Sequence, residues 1–270
     1  MNPISSSFYS CLLRSLLLAI ACAEMMSVTT CATVLIFEPA TGGFTDFGVL
    51  PPGYGNRVTA EIQDGFKYSL DGGPTPNIVV EYNTNNFAPL FTWGNDYGDL
   101  THVVFALEPK LFQMRLVADP GYQVILNSFD MAAWPHLDYT INSVQVIDDN
   151  GSVLFQQGNA VIEGDGNGPP HTHYQFHGVS GQTVLIQFDS LNVDSDDVGI
   201  DNINFSQSSF CPRLDIIQIN GRVFISWPGV NANLEEADEV TGQWRPVFGA
   251  VSPYSPAMFS ARKFYRLLCL

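Results

Sequence analysis

The residues of this 270-residue chain that could do chemistry are a histidine cluster, two aromatic and amide stretches and a surplus of carboxylates. His171, His173 and His177 have the same parity, so on one continuous strand all three share a face. The roughly 7 Å repeat of a His-x-His pair on a strand can chelate a transition metal. Three imidazoles on zinc would leave one position open for a hydrolytic water. Pro169–Pro170 just before and Gly178 just after place His171 and His177 at strand ends, and no His-Glu-x-x-His motif accompanies them. Two turn-rich stretches, Trp93–Gly94–Asn95–Asp96–Tyr97 and Trp134–Pro135–His136–Leu137–Asp138–Tyr139, combine rings with amide and acid groups. Sugars present apolar C–H faces that stack on rings and hydroxyls that need planar polar partners, so the candidate ligand-binding residues are Trp93, Asn95, Tyr97, Trp134 and Tyr139. The competing role for Trp93 and Trp134 is to plug a core, and Trp227 and Trp244 read as structural.

Among the acids, Asp201 is spaced to share a strand face with Ile203 and Phe205, where a charge is costly unless it is paired or coordinated. The run Asp194–Ser195–Asp196–Asp197–Val198–Gly199 looks like the start of an EF-hand, but Val198 stands at its fifth position and Phe205 at its twelfth. Glycosidases need two carboxylates at a defined separation, and 22 acids between residues 24 and 210 make such a pair uninformative. No Gly-x-Ser-x-Gly elbow, P-loop or dinucleotide fingerprint is present. A non-catalytic protein is the expectation.

The elements that must position these residues are strands. Charged residues make up 14% of the chain and Gly plus Pro number 40, which argues against long charge-laced helices. Strands are predicted at Val34–Phe37, Ile78–Tyr82, His102–Leu107, Leu111–Val117, Gln123–Phe129, Tyr139–Ile147, Val153–Gln156, His173–Phe176, Thr183–Phe188 and Ile200–Phe205. Turn clusters such as Asp119–Pro120–Gly121 and Asp149–Asn150–Gly151 separate them. After the linker 207–210, shorter strands at Leu214–Ile219, Arg222–Trp227, Asn233–Ala237, Gln243–Phe248 and Lys263–Leu268 form a second unit, 211–270, whose first pair turns at Asn220–Gly221. The net charge of −16 divides at that linker. Residues 24–210 hold four basic and 22 acidic side chains, a net of −18, whereas 211–270 are nearly neutral with six and five. Such a surplus of carboxylates excludes nucleic acid as a partner.

Residues 1–23 read as a signal peptide. A single Arg14 precedes the apolar run 15–21, and Ala21–Cys22–Ala23 offers an A-x-A cut, with a second possible cut after Ala32. The run falls short of the about 20 residues a membrane-spanning helix needs, so a secreted or cell-surface protein is expected. In an oxidising compartment Cys211 and Cys269, which bracket the second unit, are expected to close a disulfide.

Leu50–Pro51–Pro52–Gly53–Tyr54–Gly55–Asn56–Arg57–Val58, Thr75–Pro76–Asn77–Ile78–Val79–Val80, Gly98–Asp99–Leu100–Thr101–His102–Val103–Val104–Phe105 and Val198–Gly199–Ile200–Asp201–Asn202–Ile203–Asn204–Phe205 resemble secreted bacterial β-sandwich proteins that often carry exosortase-type (PEP-CTERM) sorting tails. No segment of residues 1–270 reads as such a tail. In its place Val223–Phe224–Ile225–Ser226–Trp227–Pro228, Gln243–Trp244 and Phe264–Tyr265–Arg266–Leu267 resemble a small β-module of planctomycete and verrucomicrobial secreted proteins. The resemblance implies an all-β fold: a jelly-roll, galactose-binding-like sandwich over 33–206 followed by a small fibronectin-like β-module. Relatives of that sandwich are frequently carbohydrate-binding modules with one structural calcium, held by an acid after the first strand and another on the last. Here those are Glu38 or Asp46 with Asp201, and Asp197 nearby. The function so implied is binding of an extracellular glycan or cell-surface polymer. The alternatives are a matrix or adhesion protein without a small ligand and, more distantly, a metal-dependent hydrolase built on the histidines.

Overall fold

The computed structural model describes residues 32–71, 73–82, 88–108, 110–166, 168–194, 196–209, 213–228, 232–257 and 262–269. The chain is all-β. Its first part contains β1 (Ala32–Pro39), β2 (Gly48–Val49), β3 (Ile62–Gln63), β4 (Phe66–Asp71), β5 (Ile78–Glu81), β6 (Leu90–Trp93), β7 (Val103–Ala106), β8 (Leu111–Ala118), β9 (Tyr122–Ala133), β10 (Tyr139–Asp148), β11 (Val153–Ile162), β12 (Thr172–Gln175), β13 (Ser180–Gly181), β14 (Thr183–Asp189) and β15 (Val198–Ser209). Every strand predicted from hydrophobic alternation is present, several with longer ends. β2, β3, β6 and β13 are only two to four residues long and carry no alternation to reveal them, whereas β4, absent from the predicted strands, alternates Phe66, Tyr68 and Leu70 with Lys67, Ser69 and Asp71.

Two antiparallel sheets face each other as a jelly-roll sandwich. One runs β11-β10-β14-β8-β5, the other β12-β9-β15-β7-β6-β2 with β13 also on β9, and β1-β4-β3 form a third ribbon. Period two places Phe112, Met114 and Leu116 of β8 and Val184, Ile186 and Phe188 of β14 on one wall of the core, which Ile141, Val144 and Val146 of β10 complete. The facing wall is Val124, Leu126, Phe129 and Met131 of β9 with Ile200, Ile203 and Phe205 of β15. Phe112 and Phe188, opposite each other across β8 and β14, stack at 4.5 Å between centroids. The reverse face of this sheet is polar, with Gln113, Gln187 and Gln145 in register and hydrogen-bonded in a row at 2.7 and 3.0 Å.

One local feature corrects the expected parity of Asp201. A bulge at Asp201–Asn204, with Asn202 in the left-handed region at φ 52°, inserts a residue between Ile200 and Ile203 so that both reach the core. Asp201 is thereby carried to the opposite face, where it lies directly across from Asp130 of β9.

The remaining strands are β16 (Asp215–Ile219), β17 (Arg222–Ser226), β18 (Ala232–Ala237), β19 (Arg245–Pro246) and β20 (Phe264–Cys269). They form a hairpin β16-β17 and a sheet β19-β18-β20, and Ile225 of β17 bridges to Tyr254 in the segment between β19 and β20. Ile225, Trp227, Ala232 and Leu234 make a core of their own, so Trp227 is structural as expected. Trp244 is covered instead by the Arg266 guanidinium, 4.5 Å from its ring centroid. The predicted signal segment 1–23, Cys211 and the side chain of Cys269, and with them the expected disulfide, lie outside the described residues.

Candidate functional site

The two aromatic stretches meet on the outer face of the β9-β15-β7-β6 sheet. Trp93 ends β6 and Trp134 follows β9, and both indoles pack over Val103 and Ala132, whose neighbours Val104, Met131 and Ala133 face the main core. Their rings meet edge-on at 6.2 Å. Phe47, in the turn before β2, extends the row, edge-on to Trp93 at 4.9 Å, and is 47% exposed. The indoles are half-buried on a small cluster of Tyr97, Leu100, Val103 and Ala132, and both indole N–H groups are buried without a hydrogen-bond partner among the described residues. Tyr97 is buried beneath this row, and its hydroxyl donates to the Asp196 carbonyl. It supports the surface and presents no face to a ligand. Tyr139 packs on the main core, its hydroxyl pushed up by burial and by Asp197, Asp194 and Asp196, so it stands apart from the expected platform. Asn95 is exposed in the loop after Trp93. Phe47 escaped the sequence reading because an isolated Phe in a turn carries no periodic signal.

Polar groups bridge the same loops. Asp46 accepts the Gly94 N–H at 2.8 Å, which ties the turn before β2 to the loop after Trp93. His136 Nε2 lies 3.7 Å from Asp96 Oδ1, and His171 Nδ1 lies 2.7 Å from Asp99 Oδ1. The approach of the β6–β7 and β11–β12 loops depends on Gly98. It sits at φ 54°, and a Cβ there would fall 1.6 Å from the Pro170 carbonyl oxygen. Gly98→Ala is expected to cost about 2–4 kcal/mol in denaturant unfolding, because backbone must move to accept it. An unchanged midpoint would contradict that close approach.

The three histidines do not line one strand face. His171 precedes β12, His177 follows it, and only His173 lies within it. His173 Nδ1 and His171 Nε2 close on the same Asp130 oxygen, at 2.6 and 3.8 Å. The Asp130 carboxylate raises the pKa of His173, and Asn202 donates to the second Asp130 oxygen at 2.9 Å. These imidazoles serve as partners of carboxylates. Among the described residues no three His, Cys, Asp or Glu side chains are grouped so as to hold a metal ion.

The expected calcium ligands separate. Asp46 is committed to the Gly94 amide. Asp197 turns into its own loop, its Oδ2 accepting the Asp194 N–H at 2.8 Å, and burial raises its pKa. Asp201 is 3% exposed. Its Oδ1 accepts the Asn202 N–H at 2.7 Å, and no Lys or Arg pairs with it among the described residues. Burial first, then the charges of Asp130 and Glu38, hold its carboxyl well above the usual range. Glu38 is salt-bridged to Lys67 at 2.5 Å and lies 3.7 Å from His102 Nδ1.

The class these features define is an all-β sandwich with an aromatic and carboxylate surface carried on loops. No family model and no curated protein matches the chain. Among solved structures, similarity is found to an arabinose-bound α-L-arabinofuranosidase, MgGH51, at 11% identity and a TM-score of 0.31, over 66% of this chain and 32% of that one. The N-terminal CBM22-1–CBM22-2 tandem domain of Paenibacillus barcinonensis Xyn10C is 13% identical, with a TM-score of 0.22, over 88% of this chain and 84% of its own. The chain thus spans about a third of the length of the arabinofuranosidase it matches.

Proposed function

We propose that the chain is an exported, non-catalytic glycan-binding protein whose sandwich binds sugar on the Phe47–Trp93–Trp134 surface. The supporting observation is that three rings from three separate segments, the turn before β2, the end of β6 and the loop after β9, line up in edge-on contact, one of them half exposed. Stacking needs a ring held rigid at the surface so that a sugar C–H face can lie on it without further ordering. Asn95 and Asp96 stand in the loop after Trp93, where an amide and a carboxylate can hydrogen-bond hydroxyls. The small C-terminal unit, 211–270, is read as a separate module, and residues 1–23 as its export signal.

Calcium at Asp201 belongs to the same reading. A buried carboxylate with like charges beside it and no Lys or Arg partner among the described residues is the donor that a hard divalent ion stabilises. Glu38 is the second candidate ligand, and backbone carbonyls and water would complete a shell of 6–8 oxygens. The ion would neutralise charge between β1 and β15 and hold the sheets there, with no part in chemistry.

The test is a glycan array followed by calorimetry on the best hit. Trp134→Ala is expected to weaken binding about thirtyfold, as loss of an aromatic anchor does. Phe47→Ala, at a site too exposed to threaten folding, is expected to weaken it less. If the protein retains no glycan on a broad array, or both variants bind as well as the parent, the reading is wrong.

A further inference from the structure

We infer that the surface around Phe47, Trp93 and Trp134 selects amino sugars, glycans that carry free ammonium groups, over N-acetylated and anionic ones; this rests on the glycan-binding reading above. The first ground is where the positive charge of the sandwich has gone. Residues 24–210 contain four basic side chains, Arg57, Lys67, Lys110 and Arg115. Arg57 is held by both oxygens of Asp119 at 2.5 and 2.7 Å, and Lys67 by Glu38 at 2.5 Å. Lys110 donates to the Val193 carbonyl at 2.7 Å, and Arg115 pairs with Glu81 at 3.2 Å. All four have partners in the fold, and none of those partners is a residue of the aromatic surface. A uronate or sulfated glycan would meet no guanidinium or ammonium of residues 24–210 there.

The second ground is the rim. Asp96 and Asp99, three and six residues beyond Trp93, each expose 56% of their side chains. The His136 nitrogen is 3.7 Å from Asp96, beyond hydrogen-bond range, so the Asp96 carboxylate keeps acceptor capacity toward solvent. Asp46 adds a third carboxylate in the same turn as Phe47. The third ground is the rings themselves. Indole faces attract a cation through their quadrupole, more strongly than phenyl faces do. An indole pair beside the open Asp96 carboxylate therefore offers an ammonium group two favourable contacts at once, with Asp99, which His171 Nδ1 approaches at 2.7 Å, adding negative charge behind it, while the hydrophobic face of the same sugar still stacks. The net charge of −18 on residues 24–210 raises the local concentration of cationic ligands and lowers that of anionic ones.

The experiment is titration calorimetry of the full exported chain with three oligosaccharides of equal length: a glucosamine oligomer, its fully N-acetylated counterpart and an oligogalacturonate. The glucosamine oligomer is expected to bind about fivefold to tenfold more tightly than the N-acetylated one, and the uronate not measurably. Raising salt from about 0.05 M to about 0.5 M should erase most of that preference, since the Debye length shrinks to a few ångströms. The double substitution Asp96→Asn with Asp99→Asn should bring the glucosamine to N-acetylglucosamine affinity ratio to about one. Equal affinity of the parent for the two oligomers, or a preference that survives the double substitution, overturns the inference. If the N-acetylated oligomer binds best and Phe47→Ala removes it, selectivity for amines fails while glycan binding stands. If nothing binds here or on the array, glycan binding fails and the inference with it.

Discussion

Calcium is expected to raise the melting temperature of this protein by roughly 5–10 °C, and Asp201→Asn to abolish that rise. The magnitude follows from mass action: an ion present at 100 times its dissociation constant stabilises the folded state by about 2.7 kcal/mol. Each kcal/mol moves the midpoint of a domain of this size by about 2–4 °C. The pH dependence carries the sign. Asp201 has its carboxyl raised well above the unfolded value by burial and by Asp130 and Glu38. Without metal, its contribution is fully favourable below the unfolded pKa and is lost as pH rises through the folded pKa, where a buried charge must form. The metal-free parent should therefore lose stability relative to Asp201→Asn as pH climbs toward neutrality, and calcium should reverse the order. Comparing the two proteins cancels groups of opposite sign, such as Asp119, whose carboxyl is lowered by Arg57. Melts of the parent that are identical in calcium and in chelator would remove calcium from the account.

Phe188→Ala is expected to cost about 3–5 kcal/mol, enough to bring the sandwich close to unfolding at ordinary temperature. The ring is 2% exposed and stacks on Phe112 at 4.5 Å with an interplanar angle of 8°. Truncation leaves a cavity near the C-terminal end of β14, bounded on both sides by the paired strands β8 and β10, which cannot collapse into it. Denaturant unfolding followed by tryptophan fluorescence measures the loss, and Phe188→Leu should recover a large part of it. A change below 1 kcal/mol would mean that the two sheets do not close on this residue.

Most of the strand framework was legible because alternation is a local property. In β14, Val184, Ile186 and Phe188 turn inward and Leu185 and Gln187 outward, and no knowledge of the partner strand is needed to see it. The tryptophan pair was legible by residue type and turn context, though which face each ring presents was not. Tyr97 and Tyr139 show the limit: both stand in the same stretches as the tryptophans, yet one became the floor of the surface and the other part of the main core. Parity also failed at the two places where the backbone leaves its period, at the bulge after Asp201 and at the ends of β12.

By itself the sequence determined the fold class, the positions of most strands, the acidic excess of residues 24–210 and the residue types able to bind sugar, since these depend on composition and on periods of a few residues; that β15 runs on through Ser209, into the expected linker 207–210, it did not reveal. The tertiary structure alone decided which of these groups meet. It set Phe47 beside Trp93 across 46 positions of chain, gave Asp46 to the Gly94 amide and turned His171 and His173 onto Asp130. It also left Asp201 buried with no Lys or Arg partner among the described residues. The physical reason is that sheet register and loop packing join residues far apart in sequence, and a single bulge or left-handed residue reverses the face on which a side chain emerges.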